Sequence, residues 1–141
     1  MTFETFTRDE PRPGRLRLAD YLGGWAAVAF FPPGLAEHPE LRRFEELRDE
    51  FADEDCLVLG VSIDSWFDLH ETPVAFTIVA DTEGTLARTF GAIVDGDLRS
   101  GTVLVDPDGV VVWEDLGEGV SADRALESLR CVRDELEREA A

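Results

Sequence analysis

The thiols of this chain are Cys56 and Cys131, and its imidazoles are His38 and His70. A thiol reacts as the thiolate, so a working one needs positive charge or a helix N-terminus beside it. Cys56 heads an apolar run, Leu57-Val58-Leu59-Gly60-Val61, where a thiol serves as small inert filler. Cys131 lies among Arg130 and Arg133, whose charges would favour a thiolate. It equally fits the apolar seam of a helix carrying Leu129 and Val132, and that structural role is the favoured reading. No Cys-x-x-Cys pair occurs, which excludes a dithiol site. The His, Cys and acidic residues lack metal-ligand spacing, so no metal is expected, and nothing points to a cofactor. Asp53-Glu54-Asp55 reads as a solvated loop. His38, ahead of a helix, is a candidate general base or ligand, against the simpler reading of a polar loop residue. His70, beside Trp66 and Phe67, has no evident partner; that apolar pair is read as core or pocket lining, with a docking patch as the alternative.

The elements that must position these groups follow from pattern. Residues 1–14, with two prolines and a glycine, read as an extended lead-in. Leu16 to Tyr21 alternates apolar and polar residues before Gly23-Gly24 turns the chain. Residues 25–31 form a continuous apolar run of strand length, as a buried parallel strand does, stopped by Pro32-Pro33-Gly34. From Glu40, the steps Leu41, Phe44, Leu47 and Phe51 predict a helix, with Pro39 in its first turn. Residues 56–63 and 76–80 are two further strands, joined by a short connection through Trp66, Phe67 and Leu69. Gly84 to Phe90 is a short helix closed by Gly91, and Asp95-Gly96-Asp97 a turn-rich link. Residues 102–105 and 110–113 flank Pro107-Asp108-Gly109 as a hairpin. Ser121 caps a last helix whose seam is Leu126, Leu129, Val132 and Leu136.

This order predicts one α/β domain over residues 1–141, thioredoxin-like, with a central mixed sheet flanked by helices on both faces. The 31 acidic residues stand against 13 basic ones, all arginine; lysine, asparagine and glutamine are absent. A net charge of −18 predicts a salt-adapted protein, because self-repulsion is relieved as added salt shortens the Debye length. An ordinary acidic protein is the alternative. Such a surface makes nucleic acid and anionic membranes poor partners. No secretory signal and no membrane-length apolar run is present, so a cytoplasmic location is expected.

Val58-Leu59-Gly60-Val61-Ser62-Ile63-Asp64-Ser65 after the long helix, Ile78-Val79-Ala80-Asp81 before Leu86-Ala87-Arg88-Thr89-Phe90-Gly91, and Val103-Leu104-Val105-Asp106-Pro107-Asp108-Gly109 resemble the peroxiredoxins. This is the alkyl hydroperoxide reductase and thiol-specific antioxidant family, and the resemblance spans residues 16–136. It implies the thioredoxin-like fold and an antioxidant oxidoreductase. It also implies a peroxide-attacking cysteine in a Pro-x-x-x-Thr-x-x-Cys loop at the start of the long helix. Pro32 matches the opening proline, but the loop is shorter, carries no threonine, and puts Glu37 or His38 at the cysteine position. The family arginine before the late strand falls on Ser100 when Gly101 is aligned, leaving Arg99 displaced by one. One step along a strand turns a side chain to the other face.

The resemblance therefore implies a peroxiredoxin-like protein without its nucleophile, kept for dimerisation, another protein partner, or sensing. The degenerate site is Pro32, Glu37, His38 and Arg99. The alternative is a thiol-dependent peroxide reductase in which Cys131 or Cys56 has taken over.

Overall fold

The computed structural model describes residues 2–7, 10–17, 24–64 and 76–140, with side chains from 24–64 and 76–139. Strands β1 (Thr2–Thr7) and β2 (Glu10–Arg17) are followed by β3 (Trp25–Phe30), β4 (Cys56–Ser62) and β5 (Thr77–Ala80). Then come β6 (Ile93–Val94), β7 (Asp97–Leu98), β8 (Gly101–Val105) and β9 (Val111–Leu116). Helices α1 (Pro39–Glu46) and α2 (Arg48–Asp53) lie between β3 and β4, α3 (Thr85–Thr89) follows β5, and α4 (Ala122–Ala140) ends the chain.

Seven strands form one sheet in the order β2-β1-β5-β4-β3-β8-β9. The apolar runs of β3, β4 and β5 pair in parallel at its centre, where both faces are covered. Strand β8 runs antiparallel to β3, and β9 completes the late hairpin. On one face α1, α2 and α4 bury Phe31, Phe44, Phe51, Leu104 and Leu129. On the other, α3 contributes Leu86 and Ala87 over Val28, Leu59, Val61 and Val103. The mixed sheet with helices on both faces is the architecture the sequence predicts.

Four local expectations change. Residues 2–7 and 10–17 are extended, but they pair as antiparallel strands whose β1 edge joins β5, rather than leading in unpaired. The long helix bends at Leu47 (φ −90°, ψ 2°) into α1 and α2, while Leu41, Phe44, Leu47 and Phe51 are all buried as predicted. Around Asp95-Gly96, both with positive φ, the link is itself a small hairpin of β6 and β7, as a type I′ turn requires. The last helix buries Ala122, Ala125, Leu126 and Leu129, but Leu136 is 43% exposed and not part of the seam. At 19 residues α4 is about 28 Å long, more than the strands beneath it span, so its final turns overhang the core. The readings of Leu18 to Gly23 and of Ser65, Trp66, Phe67, Leu69 and His70 lie outside the described residues.

Candidate functional site

The carboxyl ends of β3 and β4 carry the loop in which the sequence places the site. Phe31 N–H extends the parallel ladder by donating to Val61 O at 2.9 Å. Pro32 and Pro33 offer no N–H and end the strand. Gly34 then takes a left-handed conformation (φ 88°) and opens a single 3-10 turn at Leu35–Glu37. Its N–H groups are already used. Asp64, just past β4, accepts from Gly34 N at 2.9 Å and Leu35 N at 3.1 Å through Oδ2. The same oxygen accepts from Ser62 Oγ at 2.9 Å, and Ser62 Oγ in turn accepts from Asp64 N at 3.0 Å. An anion-binding turn is thus filled by a carboxylate of the chain itself.

His38 occupies the N-cap of α1, with Pro39 at the first helical position. Its Nδ1 accepts from Glu40 N at 3.2 Å, so the proton of the neutral ring sits on Nε2. The ring meets Phe31 edge-on, with centroids 5.2 Å apart. Burial holds its pKa below the ordinary value, against an opposing pull from the Glu40 carboxylate. Pro32 is half-buried and Glu37 exposed. Glu37, His38, Arg42 and Glu45 line a cavity of about 420 Å³ at this helix end.

Arg99 approaches the same end of the sheet, because Gly101 pairs with Phe30. Its side chain is exposed, and its guanidinium lies toward Gly117. Gly101 itself tolerates no side chain: a Cβ there would stand 1.9 Å from Asp115 O. The alignment on that glycine is therefore a packing constraint of the β8–β9 pair.

The thiols lie elsewhere. Cys56 is the first residue of β4 and pairs with Trp25 at the opposite end of the sheet from Phe30 and Val61. The five intervening steps amount to about 16 Å. The residue is 4% exposed, its S–H points to Leu57 O at 3.4 Å, and burial pushes the thiol up to about 12. Cys131 is exposed on α4, which corrects the seam expectation. Arg130 and Arg133 turn to the acids of the α2 end, Arg130 to Glu50 and Glu54 and Arg133 to Glu54, all at 3.6 Å. Arg133 also donates to Glu54 O and stacks over Trp25, 5.8 Å from the ring centroid. The structure thus brings Pro32, Glu37 and His38 together and leaves both thiols apart from them.

Sequence reasoning passed over Ser62 and Asp64 as anchors of this loop, and Glu40 as a bridge to α4. Their partners lie far along the chain: 30 positions for Asp64 and Gly34, and 82 for Glu40 and Ala122. The available signal was a short polar pair, Ser62 and Asp64, at the exit of a buried strand.

The parallel core, the crossover helices and a loop-to-helix junction at the carboxyl end of β3 define a thioredoxin-like redoxin domain. Residues 2–114 match the AhpC/TSA family, and the chain belongs to that family, the peroxiredoxins. Alkyl hydroperoxide reductase C of Mycobacterium tuberculosis is 31% identical over 148 residues, covering 96% of this chain and 69% of that protein. Its Mycolicibacterium smegmatis counterpart is 30% identical, covering 87% and 68%. Among solved structures, Enterococcus faecalis AhpC superimposes with a TM-score of 0.84 at 23% identity, covering 97% of this chain and 90% of that one. Reduced Plasmodium vivax 2-Cys peroxiredoxin gives 0.84 at 19%, covering 97% and 94%. At those identities the superpositions speak to fold.

Proposed function

We propose that this chain is a peroxiredoxin-family domain that lacks the peroxide-attacking cysteine and has no peroxidase activity. Its fold serves as an interaction, dimerisation or sensing module, over residues 1–141 as one domain, in the cytoplasm of a salt-adapted cell. The observation that carries this reading is the loop of residues 31–38: it contains no thiol, and Asp64 holds its Gly34 and Leu35 N–H groups. Peroxide reduction by a thiol needs a thiolate placed by a helix N-terminus and a cation together. Cys56 is buried at the far end of the sheet, and the two arginines flanking Cys131 are paired with glutamates. Neither nucleic acid nor an anionic membrane suits a surface of −18, and no described helix is long and apolar enough to cross a membrane.

The exposure of Cys131 favours one second reading, a thiol-dependent peroxide reductase built on that residue. Peroxide consumption with an added dithiol, in molar salt, separates the two. Equal background rates for wild type, Cys56→Ser and Cys131→Ser are expected. Turnover that vanishes in either variant overturns the first reading. Salt adaptation predicts a urea midpoint that rises steadily from dilute buffer to molar salt, and a flat dependence sinks it.

A further inference from the structure

Glu40 is held at both of its ends, and one of its partners is a histidine, whose charge changes with pH. Its backbone N–H donates to His38 Nδ1 at 3.2 Å, while its side-chain Oε1 accepts from Ala122 N at 2.9 Å. The first bond closes the N-terminus of α1, where Pro39 has no N–H and Leu41 N already bonds His38 O at 3.1 Å. The second closes the N-terminus of α4, where the other cap is a long contact from Arg124 N to Ser121 Oγ at 3.3 Å. A neutral imidazole can accept the Glu40 N–H; an imidazolium has donors on both nitrogens and cannot. It would also set a positive charge at the positive end of the α1 dipole.

Among the described residues, the charged groups around His38 are Glu37 on the preceding turn and Glu40, Arg42 and Glu45 on α1. Asp64 holds the start of the loop from β4, and its oxygens are occupied by Gly34, Leu35 and Ser62. From α4, Asp123 is held by Arg43 at 2.7 Å. Of these, the Glu40 carboxylate is the charge that pulls on the ring, and leaving Ala122 N would let it turn toward a charged imidazole.

We propose that His38 is a proton-operated latch: neutral, it caps α1 and leaves Glu40 capping α4; protonated, it releases both caps together and loosens the α1–α4 seam. The latch does not depend on whether the chain reduces peroxide. Burial of the ring, against the opposing pull of the Glu40 carboxylate, places the transition below the ordinary histidine range. The Arg43–Asp123 pair, one turn further on, keeps the helices docked, so the change is confined to their first turns.

The test is amide hydrogen exchange on the full chain between pH 5 and 7.5, corrected for intrinsic rates, with His38→Asn and Glu40→Gln alongside wild type. In wild type, protection of the Glu40 and Ala122 amides should fall together, each by about fivefold, the loss of one cap. Asparagine caps without titrating, so His38→Asn should hold both amides protected throughout. Glu40→Gln keeps the acceptor for Ala122 but removes the charge, so only the Glu40 amide should still respond. Wild-type amides that ignore pH, an Ala122 amide that stays fixed while Glu40 opens, or an unchanged transition in His38→Asn would each overturn the latch.

Discussion

At the carboxyl end of β3 the chain keeps a helix N-terminus, a capping imidazole and inward-turned amides, with no thiol among residues 31–40. At the amino end of β4, about 16 Å away along the sheet, it keeps a thiol with none of these. Arg133 lies over Trp25, the strand partner of Cys56, and burial makes the Cys56 thiolate scarce. The two ends share one sheet and one hydrophobic layer, yet each holds only part of what a reactive cysteine needs. Activation comes from local backbone geometry, and a side chain elsewhere in the sheet cannot borrow it.

The largest effect that could break this contrast is thiol reactivity. Cys56 is 4% exposed with its thiol pushed up to about 12, whereas Cys131 is exposed, so at pH 8 Cys131 should label faster by orders of magnitude. Disulfide-reagent kinetics on Cys56→Ser and Cys131→Ser measure it, and comparable rates would dissolve the distinction.

Next in size is the seal at the loop. Asp64→Ala leaves the Gly34 and Leu35 amides and the Ser62 hydroxyl without their acceptor and should cost about 2–3 kcal/mol in urea unfolding. A loss within error would mean the carboxylate only rests on the loop.

A smaller effect asks whether the helix end still activates. His38→Cys places a thiol at the N-cap of α1, where it should titrate about one unit below the usual 8.5. Alkylation rate against pH reads this directly. Peroxide turnover in that variant should stay at background while Asp64 holds the loop; real turnover would show that the end lacks a thiol and nothing else.

The smallest effect is the pH dependence carried by His38. Folding lowers its pKa below 6.5, so the unfolded chain binds the proton more tightly. Its contribution to stability is complete above about pH 6.5 and is lost as pH falls toward the folded value. The urea midpoint of wild type should drop more than that of His38→Asn between pH 7 and 5.5, and parallel curves would remove the linkage.

Much of the fold was legible because its signals are local. The apolar runs of β3, β4 and β5, the spacing of Leu41, Phe44 and Phe51, and Pro107-Asp108-Gly109 each act within a few residues. The β1–β2 pair escaped notice because residues 2–7 and 10–17 acquire meaning as strands only when β1 finds the free edge of β5. Leu136 fits the helical period, but no layer lies under it. At the site, Glu37, His38 and Pro32 were found by position in the loop, whereas Ser62, Asp64 and Glu40 were not, since their bonds span the chain.

By itself the sequence determined the central strands and the main helices around them, the excess of acidic residues, and which residues stand between β3 and α1. Those are properties of composition and short-range periodicity. Only the tertiary structure decided that Asp64 fills the loop amides, that Cys56 is sealed in the core, and that Cys131 faces solvent. Burial and hydrogen-bond partnership depend on which distant segments pack together, and no window along the chain contains that information.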